Sequence, residues 1–156
     1  MKIFIIFLLL IYIVFSYSVF GLEKGKWSFV KTDEYCYIVS LAVESDLPQD
    51  KIRGEYYILV YKNIGNPETV VQIEAGYDYK MEQKILVTID KAEYPFFTTS
   101  DLPDFAWTKD DFKVIDAMKK GLKLVVTGES SRGTITNDTY TLEGFTASYN
   151  QLTNEC

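Results

Sequence analysis

The sequence predicts a mainly β domain: an antiparallel β-sandwich or barrel-like fold carrying one or two short helices. Three observations lead there. Seven short segments are rich in β-branched and aromatic residues and alternate between two faces. Gly, Pro, Asn or Asp turn material bounds each of them, and only two stretches recur at helical spacing. Short strands at fairly even intervals with little helix between them favour two packed sheets over an alternating α/β design.

The first strand is expected at Trp27-Ser-Phe-Val30. The second, Cys36 to Val43, places Cys36, Ile38, Ser40 and Ala42 on one face and Tyr37, Val39, Leu41 and Val43 on the other. Tyr56 to Tyr61 is apolar on both faces. Val70 to Ala75 puts Val71, Ile73 and Ala75 on one side, and Ile85 to Ile89, Leu122 to Thr127 and Thr136 to Leu142 complete the set. Between them, Thr108 to Gly121 offers Thr108 as N-cap, acids in the first turn, Phe112, Ile115 and Met118 as an apolar stripe, Lys119 and Lys120 in the last turn, and Gly121 as terminator. A second helix is expected where Phe145, Tyr149 and Leu152 recur at i, i+4 and i+7.

Residues 1–21 read as a secretory signal peptide. Lys2 precedes an unbroken apolar run from Ile3 to Phe15, and a short region ending in small residues follows. Cleavage fits after Ser18 or after Gly21, and polar sequence beginning at Leu22 favours Gly21. The rival reading is a retained anchor, since Ile3 to Phe20 approaches the length needed to span a hydrocarbon core of about 30 Å. Residues 22–156 then form one domain, expected to be periplasmic or secreted, monomeric, and without a further membrane span. Loss of Lys2 leaves 15 basic against 22 acidic residues, a net charge of −7, which argues against binding nucleic acid or anionic lipid.

Histidine is absent, which removes the commonest general base and the usual zinc and copper sites. In an oxidising compartment the two cysteines, Cys36 and Cys156, are expected to form a disulfide, because neither has a partner at the spacing of a redox-active pair. No metal or cofactor is expected. Asp101, Asp104, Asp110 and Asp111 lack the ligand register of a calcium loop and read as a solvated loop and helix start. Asn137-Asp-Thr139 matches a glycosylation acceptor, which carries little weight if the host is bacterial.

The sharpest local feature is Ser130-Ser-Arg-Gly-Thr134. Arg132 offers five donors to a carboxylate or phosphate, with the hydroxyls of Ser130, Ser131 and Thr134 beside it. The same residues also suit a plain hairpin turn, in which Gly133 supplies a positive φ and Arg132 pairs with a nearby acid such as Asp138. Aromatic residues are the other excess, 18 of them from Leu22 onward. Alternation alone does not decide which fill the core and which form a recognition surface.

Taken together, several segments resemble the invasion-associated locus B family: Arg53-Gly-Glu-Tyr-Tyr-Ile-Leu-Val60, Ile73-Glu-Ala-Gly-Tyr-Asp-Tyr-Lys80 leading to Val87-Thr-Ile-Asp90, Ala106-Trp107, Ala117-Met-Lys-Lys-Gly121, Val125 to Thr134, and Asp138 to Ala147. Cys36 and the C-terminal Cys156 fit as well. The resemblance runs through essentially the whole mature chain. It implies a small exported envelope protein of a Gram-negative bacterium, in a family associated with host-cell invasion and bringing no catalytic residues or cofactor. The expectation is therefore a non-enzymatic binding module for a protein or other envelope component. The alternatives are a histidine-free enzyme with an Arg132-centred anion site and a structural envelope component.

Overall fold

Strand-forming runs separated by short turns pair first with their sequence neighbours, and the architecture follows from where that pairing is interrupted. The computed structural model describes residues 21–156; the leader expected over residues 1–21 lies, except for Gly21, outside the described residues. In chain order the elements are β1 (Ser28–Lys31), β2 (Tyr35–Leu41), β3 (Glu44–Ser45), β4 (Tyr57–Asn63), β5 (Val70–Glu74), β6 (Ile85–Ile89), β7 (Ala92–Phe96), β8 (Phe105–Trp107), α1 (Asp111–Lys120), β9 (Lys123–Glu129), β10 (Ile135–Thr141) and α2 (Phe145–Glu155). The strands form two five-stranded antiparallel sheets. The first has the order β1-β2-β4-β5-β8 and the second β3-β10-β9-β6-β7.

The sheets are joined at two corners without closing into a barrel. At one, the chain leaving β2 crosses to the second sheet, where the Val43 amide donates to the Thr139 carbonyl at 2.7 Å. At the other, Phe97 beyond β7 and Trp107 in β8 exchange a pair of backbone hydrogen bonds, each 2.9 Å. Of the two architectures the sequence allows, the sandwich is the one that forms.

The core lies between the sheets and follows the predicted alternation. Cys36, Ile38, Ser40 and Ala42 are buried, as are Val71, Ile73 and Ala75. They meet Ile85, Val87, Leu124, Val126 and Tyr140 from the second sheet in one continuous cluster. At about 25 cal/mol per Å² of apolar surface removed from water, this burial is the main favourable contribution to folding.

Both helices form, with one correction. The N-cap of α1 is Asp110, whose carboxylate accepts the Lys113 amide at 3.1 Å, rather than Thr108, whose hydroxyl instead accepts the Asp110 amide at 3.2 Å. This start turns Phe112 to solvent, where it is 82% exposed, while Val114, Ile115 and Met118 are buried. At about 100° per residue, Phe112 lies roughly 200° around the helix from Val114. Asp111, one residue on, accepts the Val71 amide of β5 at 2.7 Å. Helix α2 rests on β1 and β2, and Cys156 at its end is bonded to Cys36 with the two Cα atoms 5.9 Å apart. A bridge spanning 120 positions removes about 4–5 kcal/mol of unfolded-chain entropy by the loop-closure relation, before any strain is subtracted.

Candidate functional site

Two surfaces have the chemistry to recognise a ligand, and the first is built around a buried ion pair. Strand β10 alternates Thr136, Asp138 and Tyr140 inward, all of them buried. A buried aspartate must be paired, and Arg53 supplies the pairing from the loop before β4. Its Nη1 donates to Asp138 Oδ2 at 2.9 Å and its Nη2 to Asp138 Oδ1 at 2.5 Å, a two-pronged contact between side chains only 3% and 5% exposed. Nη1 also donates to the Ala75 carbonyl at 3.2 Å and Nη2 to the Ser45 hydroxyl at 3.0 Å.

The Arg53 guanidinium lies 3.4 Å from the centre of the Tyr56 ring. Burial opposes its charge, but the hydrogen bonds and charge of Asp138 prevail and hold its pKa above the ordinary arginine value. Four of its five N–H donors are spent. The fifth, on Nε, is buried with no hydrogen-bond partner among the described residues. Gly76 makes the close approach of this loop possible. It adopts φ +70°, and a Cβ there would sit 2.5 Å from the Gly54 carbonyl oxygen. The Gly54 amide donates to the Gly76 carbonyl at 2.9 Å, which seats Arg53 against the end of β5.

Beside this pair lies the Ser130 to Thr134 turn that joins β9 to β10. Gly133 has φ +86°, the left-handed conformation that glycine adopts without strain. The turn closes through Gly133 N–H to Ser130 O at 2.8 Å and Ser130 N–H to Thr134 O at 2.8 Å. The hydroxyl of Ser130 is buried and accepts the Thr134 amide at 3.1 Å, so it braces the turn. The Arg132–Asp138 pairing considered from sequence does not form. Arg53 occupies Asp138, and Arg132 takes part in none of the ion pairs among the described residues. Arg132 is exposed on the rim of a cleft of about 370 Å³, whose wall includes Lys51, Arg53, Tyr77, Asp78, Ser131 and Thr134. All four residues expected for an anion site, Ser130, Ser131, Arg132 and Thr134, line this one cleft.

The second surface is the outer face of the first sheet. Residues on the face opposite the core pair as Tyr37 with Tyr61, Val39 with Leu59 and Leu41 with Tyr57 across β2 and β4. The outward face of a sandwich ordinarily meets water with polar side chains; here it is aromatic and aliphatic. Tyr35, Tyr37, Tyr57, Leu59 and Tyr61 line a groove of about 480 Å³. The character continues through Trp107, whose indole N–H donates to Gln72 at 3.2 Å, and through Phe105, with ring centres 6.1 Å apart. Burial, with the neighbouring Glu74 carboxylate, pushes the Tyr57 hydroxyl pKa well up, and burial raises that of Tyr61. Both hydroxyls are donors at neutral pH.

Of the four acids singled out in the sequence, Asp110 caps α1 and Asp111 accepts the Val71 amide of β5. Sequence reasoning missed Arg53 as a site residue. The available signal was the inward register of Asp138, since a buried carboxylate calls for a cation or several hydrogen-bond donors. A family model described as Invasion associated locus B (IalB) protein matches residues 31–153. The chain belongs to that family. The match runs from the end of β1 into α2 and takes in both surfaces. Among solved structures, that of invasion associated protein B from Bartonella henselae is similar, with a TM-score of 0.60 and 18% identity, over 83% of this chain and 93% of that one. This likeness supports the shared fold. No curated protein gives a match. The family is not known as an enzyme family, and among the described residues no helix is long and apolar enough to cross a membrane.

Proposed function

We propose that this member of the invasion-associated locus B family is an exported, non-catalytic binding module of the bacterial envelope, and that its partner surface is the tyrosine-lined outer face of the first sheet. The observation that carries the reading is that this sheet is apolar on both faces. One face builds the core, and the other presents Tyr35, Tyr37, Tyr57, Leu59 and Tyr61 around an open groove. Extended apolar patches on a soluble domain mark interaction sites, and tyrosine suits them because the ring supplies area and the hydroxyl a directed bond. The partner this surface fits is a basic protein presenting apolar side chains, since the domain carries a net −7 charge without its leader and electrostatic steering favours the opposite sign. Export is supported by the leader-like residues 1–21 and by a disulfide that suits an oxidising compartment. Mass spectrometry of the protein recovered from periplasm or medium is expected to show a chain beginning at Leu22.

The test is affinity capture from envelope extract with the wild-type chain and with a Tyr37→Ser, Tyr61→Ser variant, after circular dichroism has shown that the variant is folded. The expected result is a basic protein retained by the wild type and lost from the variant. Equal retention by the two, or none by either, contradicts the proposal.

A further inference from the structure

The cleft beside the β9–β10 turn is distinct from the tyrosine face and carries its own chemistry. The domain from Leu22 onward has fewer basic than acidic residues, yet both of its arginines and Lys51 line this one depression, against a single acidic lining residue, Asp78. Their commitments differ. Arg53 is neutralised by Asp138. Lys51 has only a loose, exposed neighbour in Asp50, at 3.9 Å. Arg132 pairs with no carboxylate among the described residues.

An arginine held on a closed turn, with its guanidinium uncommitted, presents a planar set of donors matched to the edge of an oxyanion. The turn is fixed by Gly133 and by the Ser130 hydroxyl, so little backbone freedom remains to be lost on binding. Arg53 lines the same cleft, and its buried Nε–H has no acceptor among the described residues. Buried donors in that condition ordinarily meet a water molecule or a ligand atom. Ser131 and Thr134 add hydroxyls to the wall and Tyr77 adds an aromatic ring, a lining suited to a hydroxyl-bearing ligand.

We infer that this cleft is a binding site for an oxyanion carried on a polar ligand, such as a sugar phosphate or a uronic acid, with Arg132 and Lys51 holding the charge and Ser131 and Thr134 the hydroxyls. Arg53 is the positioning residue: fixed by Asp138, it shapes the floor of the cleft and leaves the charge to Arg132 and Lys51.

The experiment is a calorimetric or NMR titration of the full mature chain with four probes: inorganic phosphate, glucose 6-phosphate, glucuronate and, as the neutral control, glucose. Saturable binding of at least one anionic probe with none of glucose is expected. Phosphate against glucuronate separates a phosphate from a carboxylate ligand, and glucose 6-phosphate against phosphate measures what the hydroxyls add. Arg132→Gln is expected to weaken that binding roughly tenfold or more, as loss of a charge-assisted pair does, with an unchanged melting temperature. Lys51→Gln is expected to weaken it less. A lack of binding by every anionic probe at millimolar concentration overturns the inference, as does binding by glucose equal to that of the anions. So does anion binding that survives both Arg132→Gln and Lys51→Gln.

Discussion

The two arginines of the chain sit on the wall of the same cleft and do opposite things. Arg53 is buried to 3% exposure, locked to Asp138 by two hydrogen bonds and covered by the Tyr56 ring. Arg132 is exposed on a tight turn and bound to no carboxylate among the described residues. On the inference drawn for this cleft, one residue type serves architecture where its donors are spent inside the protein and recognition where they are not. Burial and pairing, rather than residue identity, separate the two roles.

The widest separation is expected in stability. Arg53→Ala leaves the buried Asp138 carboxyl without its partner and should cost about 3–5 kcal/mol, the usual penalty for breaking a buried pair from one side. Urea unfolding measures it. Arg53→Met combined with Asp138→Leu should cost clearly less than Arg53→Ala, because no isolated charge is left behind. If the double change costs as much as the sum of its single changes, Arg53 and Asp138 are not coupled and the contrast between the arginines fails.

A second difference appears at alkaline pH. Burial raises the hydroxyl pKa values of Tyr77, Tyr79 and Tyr140, which surround the Arg53–Asp138 pair. An acid whose folded pKa lies above its unfolded value contributes stability that is complete below the unfolded value, about 10 for tyrosine, and is lost as pH rises beyond it. The share of the tyrosinate absorbance that belongs to these three rings is therefore expected to appear only in a cooperative step together with unfolding, after the exposed tyrosines such as Tyr35 have ionised. A rise that reaches the full count of tyrosines with the fold intact would place these hydroxyls in water.

On the acid side the expected effect is smaller. Asp46 accepts the backbone amide and side-chain amide of Asn137 at 2.6 and 2.7 Å. These hydrogen bonds hold its carboxyl below the ordinary range. A depressed carboxyl stabilises above its unfolded value of about 3.9, and that contribution is lost as pH falls through the folded value. Asp46→Ala should flatten the low-pH limb of the stability profile and leave the alkaline limb unchanged. The smallest expected effect belongs to the other arginine: Arg132→Ala should change stability by no more than about 0.5 kcal/mol, as for an exposed side chain without partners.

The sandwich was legible because its strands turn alternate residues into the core, although Val39 on the opposite face of β2 is buried as well. In β2, Cys36, Ile38 and Ser40 point inward and set the register for the whole first sheet. Strands β3 and β8 were not legible, since two or three residues cannot display a period. Strand β7 was hidden by Pro95, which an edge strand tolerates and an alternation search rejects. At the site, the hairpin turn and the role of Gly133 could be read from Ser130 to Thr134. The partner of Asp138 could not. Arg132 lies six positions away in sequence and Arg53 lies 85 away, and only the crossing of the chain between sheets at Val43 brings Ser45 and the loop carrying Arg53 beside β10. The tyrosines of β2 and β4 were counted from the sequence. Their outward gathering into one groove depends on the register of the two strands, Tyr37 opposite Tyr61.

A chain with two arginines gives two arginine side-chain Nε–H signals in an NMR spectrum, so one experiment reads both. In the free protein the Arg53 signal should exchange slowly with water and the Arg132 signal quickly; on addition of phosphate the Arg132 signal should move to saturation and become protected. An Arg53 signal that exchanges as fast as that of Arg132, or an Arg132 signal indifferent to phosphate, would contradict the division of labour between the two arginines.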